Sequence, residues 1–406
     1  MSSQEIHLPN LWSIMTTTYD IAAGLDIHKR FIMATILWAS GEKIQRRFER
    51  TAQGILAIKE WILENKCQVV ACESTSDYWV PIYDALCDFV TMIVGNAHDI
   101  KVLTHKKTDK IDSENIARLA LKDMIKPSRV FTRNHRDFRK LVRLRHFLVR
   151  KRTDLKNRIH SILDGELFHL SDSLTDIFGK SGMNILNGIL EGKSADEIIC
   201  TLPPQVRKKK QGDIRALLAQ SLSQVALIQL GHCLKVMTRL DEEIDLLTNT
   251  AIAYAQDKHA RELKILMSVP GIGQISAITL IAEIGNFHDF KSGSNLASWL
   301  GLVPNVYQSA GTSRKCSITK RGSRLGRWIL IEAAHAASRS RKSALRNFYY
   351  SKKSSIGAKK AIVALARKMA TIIWHLIFND EIYKALRQLM WVGLILAVHD
   401  GGRSSS

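Results

Sequence analysis

Four carboxylates stand out by where they fall in the chain. Asp26 interrupts the apolar run of Ile21, Leu25 and Ile27, and Glu73 ends the run VVACE. A charge in such surroundings costs several kcal/mol unless it is paired or metal-bound. Asp109 and Asp112, in KTDKID, are three residues apart, the spacing that turns two side chains to one helix face. Four hard oxygen donors gathered in one place suit magnesium or manganese. Two such ions about 3.5 to 4 Å apart activate an attacking oxygen and stabilise a leaving one. The reaction class is phosphodiester cleavage or transfer. Singly, each acid has a plainer explanation: a salt-bridged strand Asp, a turn acid before Ser74 and Thr75, a helix cap and its first-turn companion. Their joint placement favours the metal. His28, His98 and His105 are neighbours of the acids with no role assigned.

A second candidate centre lies between Trp299 and Arg327, WLGLVPNVYQSAGTSRKCSITKRGSRLGR, read as a loop rich in small and basic residues. Ser309 precedes Ala310 and Gly311, so its hydroxyl is a candidate exposed nucleophile. Arg314, Lys315, Lys320 and Arg321 are at hand to offset a phosphate's charge. On chemistry alone Ser313, Ser317 and Ser323 are equally eligible.

The elements that must hold these residues are legible in the hydrophobic pattern. IAAGLDIH, FIMATILWA and KIQRRFE read as three consecutive antiparallel strands. Helical spacing follows from Ala52 to Glu64, then a buried strand from Val69 to Cys72, a helix through Tyr83 and Leu86, and a strand from Thr91 to Val94. That order is the order of the ribonuclease H-like α/β fold, in which the strands bearing Asp26 and Glu73 are neighbours. A helix is expected from Asp112 to Lys122. From Arg136 to Gln256 the chain is nearly all helix former, with a break at Pro203 and Pro204. A third, mostly α unit follows, with frequent glycines. In it, SVPGIGQISAITLIAEIG reads as a helix-hairpin-helix, with Gly271 and Gly273 letting the backbone approach a phosphate. The expected division is a disordered lead-in at 1–19 (Met15 being an alternative start), an α/β domain at 20–130, a coiled-coil-like helical linker at 131–260, a C-terminal domain at 261–388 and a tail at 389–406.

Composition names the partner. Lys and Arg number 59 against 38 acids, a net +21, and such a field attracts a polyanion. Between Thr132 and His160 there are eleven Arg or Lys and two acids. Arg136, Lys140, Arg143, Arg150, Lys151, Arg152, Lys156 and Arg158 are spaced to follow a phosphate backbone. From Arg314 to Lys368 there are sixteen basic residues and one acid, Glu332. Contacts of this kind set affinity, not target choice. The six scattered cysteines show neither a zinc pattern nor a disulfide framework, which fits a reducing cytoplasm. No signal peptide is read, and the ten apolar residues Leu389 to Val398 cannot span about 30 Å of hydrocarbon, so no membrane partner is expected.

Taken together, GLDIHK, CESTSDYW, KTDKID, LKNRIHSIL, SVPGIG, WLGLVPNVYQSAG and SITKRG resemble the DEDD transposases of the insertion sequence 110 family, with its 1111 subgroup a candidate. The resemblance runs from about Tyr19 to Tyr383 in family order. It implies a RuvC-like domain whose acids bind magnesium, mapping to Asp26, Glu73, Asp109 and Asp112. It also implies a transposase domain whose nucleophilic serine maps, by the P-x-x-Y-x-S spacing of Pro304 and Tyr307, to Ser309. Further implied are a transient serine–phosphate link, a homo-oligomer (dimer or tetramer) in which one copy's acids meet another's serine, donor and target DNA, a noncoding bridge RNA, and a bacterial cytoplasmic, nucleoid-associated location. Two positions depart from the pattern: Ser76 stands where the family usually has Gly, and Ala310 intervenes before Gly311. Two other readings remain, a RuvC-like endonuclease that only hydrolyses and a non-catalytic nucleic-acid scaffold.

Overall fold

The structure is a computed structural model. It describes residues 18–97, 99–100, 109–309, 312–341 and 343–384, without the side chains of 109–111 and 305–316. The expected tail at 389–406, most of the lead-in, His98 and His105 lie outside the described residues. The chain divides into two compact units, Met1–Arg133 and Asn134–Ser406.

The first unit is built on a five-stranded sheet of order β3-β2-β1-β4-β5. Its strands are β1 (Ile21–Ile27), β2 (Phe31–Trp38), β3 (Lys43–Glu49), β4 (Val69–Glu73) and β5 (Thr91–Gly95). The first three are antiparallel neighbours, and β4 and β5 continue parallel to β1. Parallel pairing requires crossovers, and helices α1 (Ala52–Glu64) and α2 (Val80–Leu86) supply them. Thr51 starts α1 by accepting the Gly54 N–H at 3.1 Å, and Ile58, Trp61 and Ile62 turn inward. The sequence-derived order and strand positions therefore hold.

Helix α3 (Asp109–Leu121) covers the other face of the sheet. The seat for it is Gly24. A Cβ there would lie 2.2 Å from both the Ala117 nitrogen and the Ser113 carbonyl oxygen. Backbone thus meets backbone where any larger residue would hold the helix off.

In the second unit two long helices, α4 (Arg133–Gly165) and α9 (Gln224–Lys258), run antiparallel. Their partners pair in opposite order: Phe138 stacks on Tyr254 at 4.5 Å, Arg145 reaches Thr248 at 2.6 Å and Arg152 reaches Asp241 at 2.6 Å. One end of the pair packs with the short helices α5 (Leu170–Ser173), α6 (Lys180–Leu190), α7 (Ala195–Cys200) and α8 (Pro204–Leu218) through Ile159, Leu163, Leu230 and Leu234. The other end joins α10 (Ala260–Ser268), α11 (Gln274–Ile284), α12 (Gly293–Trp299), α13 (Arg324–Arg339), α14 (Ala344–Ile356) and α15 (Ala358–Phe378) through Phe138, Val142, Ala251 and Ala255. Helix α15 is long and apolar enough to cross a membrane. Ile362, Leu365, Met369, Ile373 and Leu376 are nonetheless buried, with the helix packed on α10, α12, α13 and α14, which is the setting of a core helix.

One expectation is corrected. The stretch read as a loop forms an antiparallel pair, β6 (Pro304–Ser309) and β7 (Thr312–Ile318), with a register shift between Pro304 and Val306. Its small and basic residues mask the strand signal, since cross-strand pairing rather than composition decides β structure at such positions.

Gly24→Ala should lower the melting free energy of the protein by roughly 2–4 kcal/mol, because α3 must shift. Gly212→Ala, at a helical position where a Cβ meets nothing within 4 Å, should instead raise it by up to about 1 kcal/mol. Paired urea melts check both; equal melts for Gly24→Ala and wild type would contradict the seat assigned to α3.

Candidate active site

Adjacent parallel strands bring the first two acids together. Leu25 and Cys72 form the last pair between β1 and β4, so Asp26 and Glu73 are the next residues of both strands. Side chains alternate along a strand. Ala23 and Leu25 lie with Val70 and Cys72 in one apolar cluster, and Ala22 lies with Val69 and Ala71 in the other, which contains α3. Gly24, Asp26 and Glu73 therefore share the α3 side. Thr18 and Tyr19, just before β1, donate to the Leu121 carbonyl, while Ser113 and Ala117 sit at Gly24. Helix α3 thus runs opposite to β1, and its first turn, which includes Asp109 and half-buried Asp112, lies toward the Asp26 end. The side chain of Asp109 is outside the described residues. A helix N-terminus carries partial positive charge, which favours carboxylates there.

Each acid is held. The Asp26 Oδ2 and His28 Nε2 are 2.9 Å apart, and the His28 ring stacks on Phe31 at 4.5 Å. The Arg47 guanidinium covers Phe31 at 4.2 Å. The Thr75 hydroxyl donates to Glu73 Oε2 at 3.2 Å. Ser76, next in that turn, has φ of 54°, the left-handed region that favours glycine. Behind the acids Thr35 and Ser113 share a buried hydroxyl hydrogen bond of 2.7 Å, and Gln45 donates to Thr35 at 2.9 Å. Glu114 is not a further donor for this edge. Burial works against its ionisation, but Lys43 and Arg118 outweigh that and hold its carboxyl below the ordinary value.

The donor set fits a hard divalent cation in kind: carboxylates on two adjacent strand ends and on the helix turn above them. Among the described residues no group of three or more His, Cys, Asp or Glu is arranged to hold a metal ion. The acids share an edge of the sheet but do not form a closed ligand shell.

In the second unit Ser309 is the last residue of β6, in register with Thr312; its side chain, and those of Arg314 and Lys315, are outside the described residues. The base of this hairpin is tightly fixed. Gly301 and Gly322 have φ of 69° and 71°, and a Cβ on Gly322 would lie 1.8 Å from the Trp299 carbonyl oxygen. Arg327 donates to the Leu300 and Arg321 carbonyls at 2.9 and 3.0 Å. Ser323, one of the four eligible serines, is 5% exposed; it caps α13 and donates to Glu283 Oε2 at 2.6 Å. That removes it as an exposed nucleophile. Ser317 is exposed.

Glu283 is fully buried and also holds α4. Arg139 donates to its Oε2 at 3.2 and 2.9 Å, and Arg143 to Oε1 at 2.7 Å and Oε2 at 3.0 Å. Burial pushes its pKa up, but the Arg143 hydrogen bond, the Arg139 charge and the Ser323 hydroxyl together hold it down to about 2. Arg143, expected in the phosphate track, is thus given to Glu283, and the expectation is corrected to that extent. Arg152 pairs with Asp241, Lys151 with Asp154 at 3.4 Å and Lys140 with Asp137 at 3.8 Å. Lys156 lies over the Phe178 ring at 4.8 Å. Arg150 and Arg158 are exposed and Arg136 is half-buried. Lys320 and Arg321 are exposed at the hairpin base. Gly271, φ 92°, serves packing: a Cβ would lie 2.3 Å from the Ala333 carbonyl oxygen of α13. Gly273 caps α11, and a Cβ there would meet nothing within 4 Å.

Sequence reasoning did not find Glu283, Arg139, the His28 contact or the role of Gly24. Glu283 had a signal, a lone acid in the apolar helix TLIAEIG; the others depend on tertiary neighbours.

Two family models match the chain. The one described as the transposase IS116/IS110/IS902 family covers residues 263–350, and the DEDD transposase model of IS110 covers residues 23–168. The transposase for insertion sequence element IS1111A of Coxiella burnetii is 25% identical over 365 residues, 89% of this chain and 90% of that protein. A probable family 20 transposase of Pseudomonas aeruginosa is 28% identical over 281 residues, 68% and 74% of the two chains. The pilin gene-inverting protein of Moraxella bovis is 29% identical over 200 residues, 47% and 60% of the two chains.

Glu283 supplies stability that is present above its unfolded pKa near 4.5 and lost as pH falls toward about 2. Between those values the protein should lose on the order of 3 kcal/mol from this group. Glu283→Gln should flatten that limb of the stability profile, measured by urea melts from pH 5 to 2. An unchanged acid limb would contradict the assignment. Ser76→Gly should stabilise by up to about 1 kcal/mol, by relieving the left-handed backbone.

Proposed function

Because this chain belongs to the DEDD transposases of the IS110 family, we propose that it cuts and exchanges DNA strands with a metal-binding carboxylate cluster and a serine nucleophile. The observation that carries this reading is the placement of Asp26 and Glu73 on neighbouring strand ends, with the first turn of α3 laid on the same face by Gly24.

In this reading Asp26, Glu73, Asp109 and Asp112 hold magnesium or manganese. Such a cation, when bound, supplies Lewis-acid stabilisation of charge on the scissile phosphate. The Asp26 contact with His28 and the Thr75 hydrogen bond to Glu73 orient the two strand-end carboxylates. Ser309 Oγ attacks phosphorus and gives up its proton to solvent, and the departing sugar oxygen takes one up to leave as a hydroxyl. The P–O bond to the departing sugar breaks, leaving the phosphate esterified to the serine. A sugar hydroxyl of the receiving strand then attacks that phosphorus and releases Ser309. Arg314, Lys315, Lys320 and Arg321 offset charge around the phosphate, and the fixed base of the hairpin limits the positions Ser309 can take.

Arg136, Lys140, Arg150, Lys151, Arg152, Lys156 and Arg158 on α4 place the DNA. The turn at Gly271 and Gly273, read as a helix-hairpin-helix, offers the α11 N-terminus to a phosphate. The enzyme acts as a homo-oligomer in which carboxylates and serine from different copies meet on one phosphate. A noncoding bridge RNA selects donor and target sites, and the work is done in the bacterial cytoplasm, at the nucleoid.

Purified protein incubated with its element ends, the flanking noncoding RNA and magnesium should give a protein–DNA adduct that survives denaturation. Ser309→Ala should abolish it, a loss of roughly a thousand-fold or more, and Asp26→Asn should do the same. Nicked products without adduct, unaffected by Ser309→Ala, would establish a hydrolytic nuclease instead. Full function in Asp26→Ala would establish a non-catalytic scaffold.

A further inference from the structure

Between Glu332 and Asp380 the chain has no acid. From Ala344 to Phe378 this interval forms α14 and α15, packed on one another and joined at Gly357, whose φ is 79°. Every residue from Ser351 to Lys360 is exposed, and the segment, SKKSSIGAKK, carries lysines and hydroxyls only as its polar side chains. Helix α15 opens at Gly357 with no side-chain cap, so the N–H groups of its first turn are presented beside Lys359 and Lys360.

The cations here are treated differently from those on α4 and α9. There several meet carboxylates, Lys151 with Asp154, Arg152 with Asp241 and Arg239 with Glu242 and Glu243, although Lys151 and Lys156 also lie over Phe147 and Phe178. Among the described residues, Arg346, Lys352, Lys353, Lys359, Lys360 and Arg367 are in no ion pair. Several rest on aromatic rings instead. Arg346 and Lys353 lie over Tyr350 at 5.3 and 5.7 Å, and Lys352 and Lys368 lie over Phe348 at 5.9 and 4.3 Å. Burial and the nearby Lys352 charge both lower the Lys368 pKa. A fold that gathers like charges around shared rings, with no acid in the interval, is self-repelling until a polyanion is present.

We propose that the corner between α14 and α15 is a docking surface for duplex DNA, where Arg346, Lys353, Lys359, Lys360 and Arg367 grip backbone phosphates without reading sequence. It rests on the reading that the chain works on DNA, and it assigns a surface that reading does not require. A duplex fits better than a single strand because the ring faces are occupied by the protein's own cations. A single-strand track needs open rings for bases to stack on, whereas here the rings serve as seats that fix the cations outward.

The experiment is fluorescence anisotropy of the full chain with a labelled 30-base-pair duplex of arbitrary sequence, and with one of its strands alone, across a salt series in EDTA. The test variant carries Lys353→Gln, Lys359→Gln, Lys360→Gln and Arg367→Gln. A charge-matched control carries Arg207→Gln, Lys208→Gln, Lys209→Gln and Lys210→Gln on α8. All four test positions are exposed, and circular dichroism with a thermal melt verifies folding; Lys353→Gln with Lys359→Gln is the milder version should the quadruple variant melt early. The test variant should lose roughly ten-fold or more in duplex affinity at 100 mM salt. Its slope of log affinity against log salt should fall by about 0.9 for each contact removed, while the control changes less than about three-fold. Equal losses in both variants, no loss in the test variant, or a single strand that binds more tightly than the duplex and depends on the same four residues would each overturn the proposal. Binding is read without cleavage, so a failure here is distinguishable from a failure of the serine chemistry, which the adduct assay reads.

Discussion

The absence of a side chain at Gly24 is the constraint on which the candidate site depends. It lets the backbone of α3 rest directly on the middle of β1, at the level of Ser113 and Ala117. Since α3 runs opposite to β1, this contact carries the first turn of the helix to the strand end where Asp26 and Glu73 lie side by side. The buried Thr35–Ser113 hydrogen bond fixes the same level of helix and sheet. Without the close approach the helix would still cover the apolar face through Ile116 and Ala120, but its acids would stand away from those of the strands. Asp26 and Glu73, neighbours at that strand end, would repel each other less with a cation between them, and the metal reading proposed for them rests on that placement.

The second unit rests on the opposite device, a charge rather than a vacancy. Glu283 is buried on an otherwise apolar helix, and it is tolerated because two guanidinium groups and a hydroxyl satisfy it. Through it α4 at Arg139 and Arg143, the last turn of α11 and the cap of α13 are tied to a single carboxylate. The β6–β7 hairpin, with Ser309 at its turn, returns along β7 to Ile318 shortly before that cap, so its base lies next to the node. Part of the positive charge on α4 is therefore internal, and the count of basic residues overstates what faces a partner.

Much of this was legible in the sequence. The alternating and continuous apolar runs give β1 to β5 in the ribonuclease H-like order, and helical spacing gives α1 with both its ends. The argument that singled out Asp26, an acid in an apolar run, applies equally to Glu283 in TLIAEIG, where the sequence reading did not use it. The β6–β7 hairpin was hidden because its strands are rich in Ser, Lys and Arg, residues whose strand preference comes from cross-strand neighbours. Gly271 looked like a phosphate contact in a familiar pattern, and only the position of α13 shows that packing requires it. Ser76 is the converse case: its left-handed backbone gives a physical reason for the glycine that the family usually carries there.

Family membership and fold agree on an enzyme that works on DNA, and the central claim is that the strand acids and the α3 acids act as one cation site. The most direct measurement is manganese binding, read by electron paramagnetic resonance, to the wild-type protein and to Asp26→Asn, Glu73→Gln, Asp112→Asn and Glu114→Gln. The account predicts binding weakened roughly ten-fold or more by each of the first three substitutions, and unchanged by Glu114→Gln, whose carboxylate is already given to Lys43 and Arg118. Manganese bound with wild-type affinity by Asp26→Asn or Asp112→Asn would contradict a shared site.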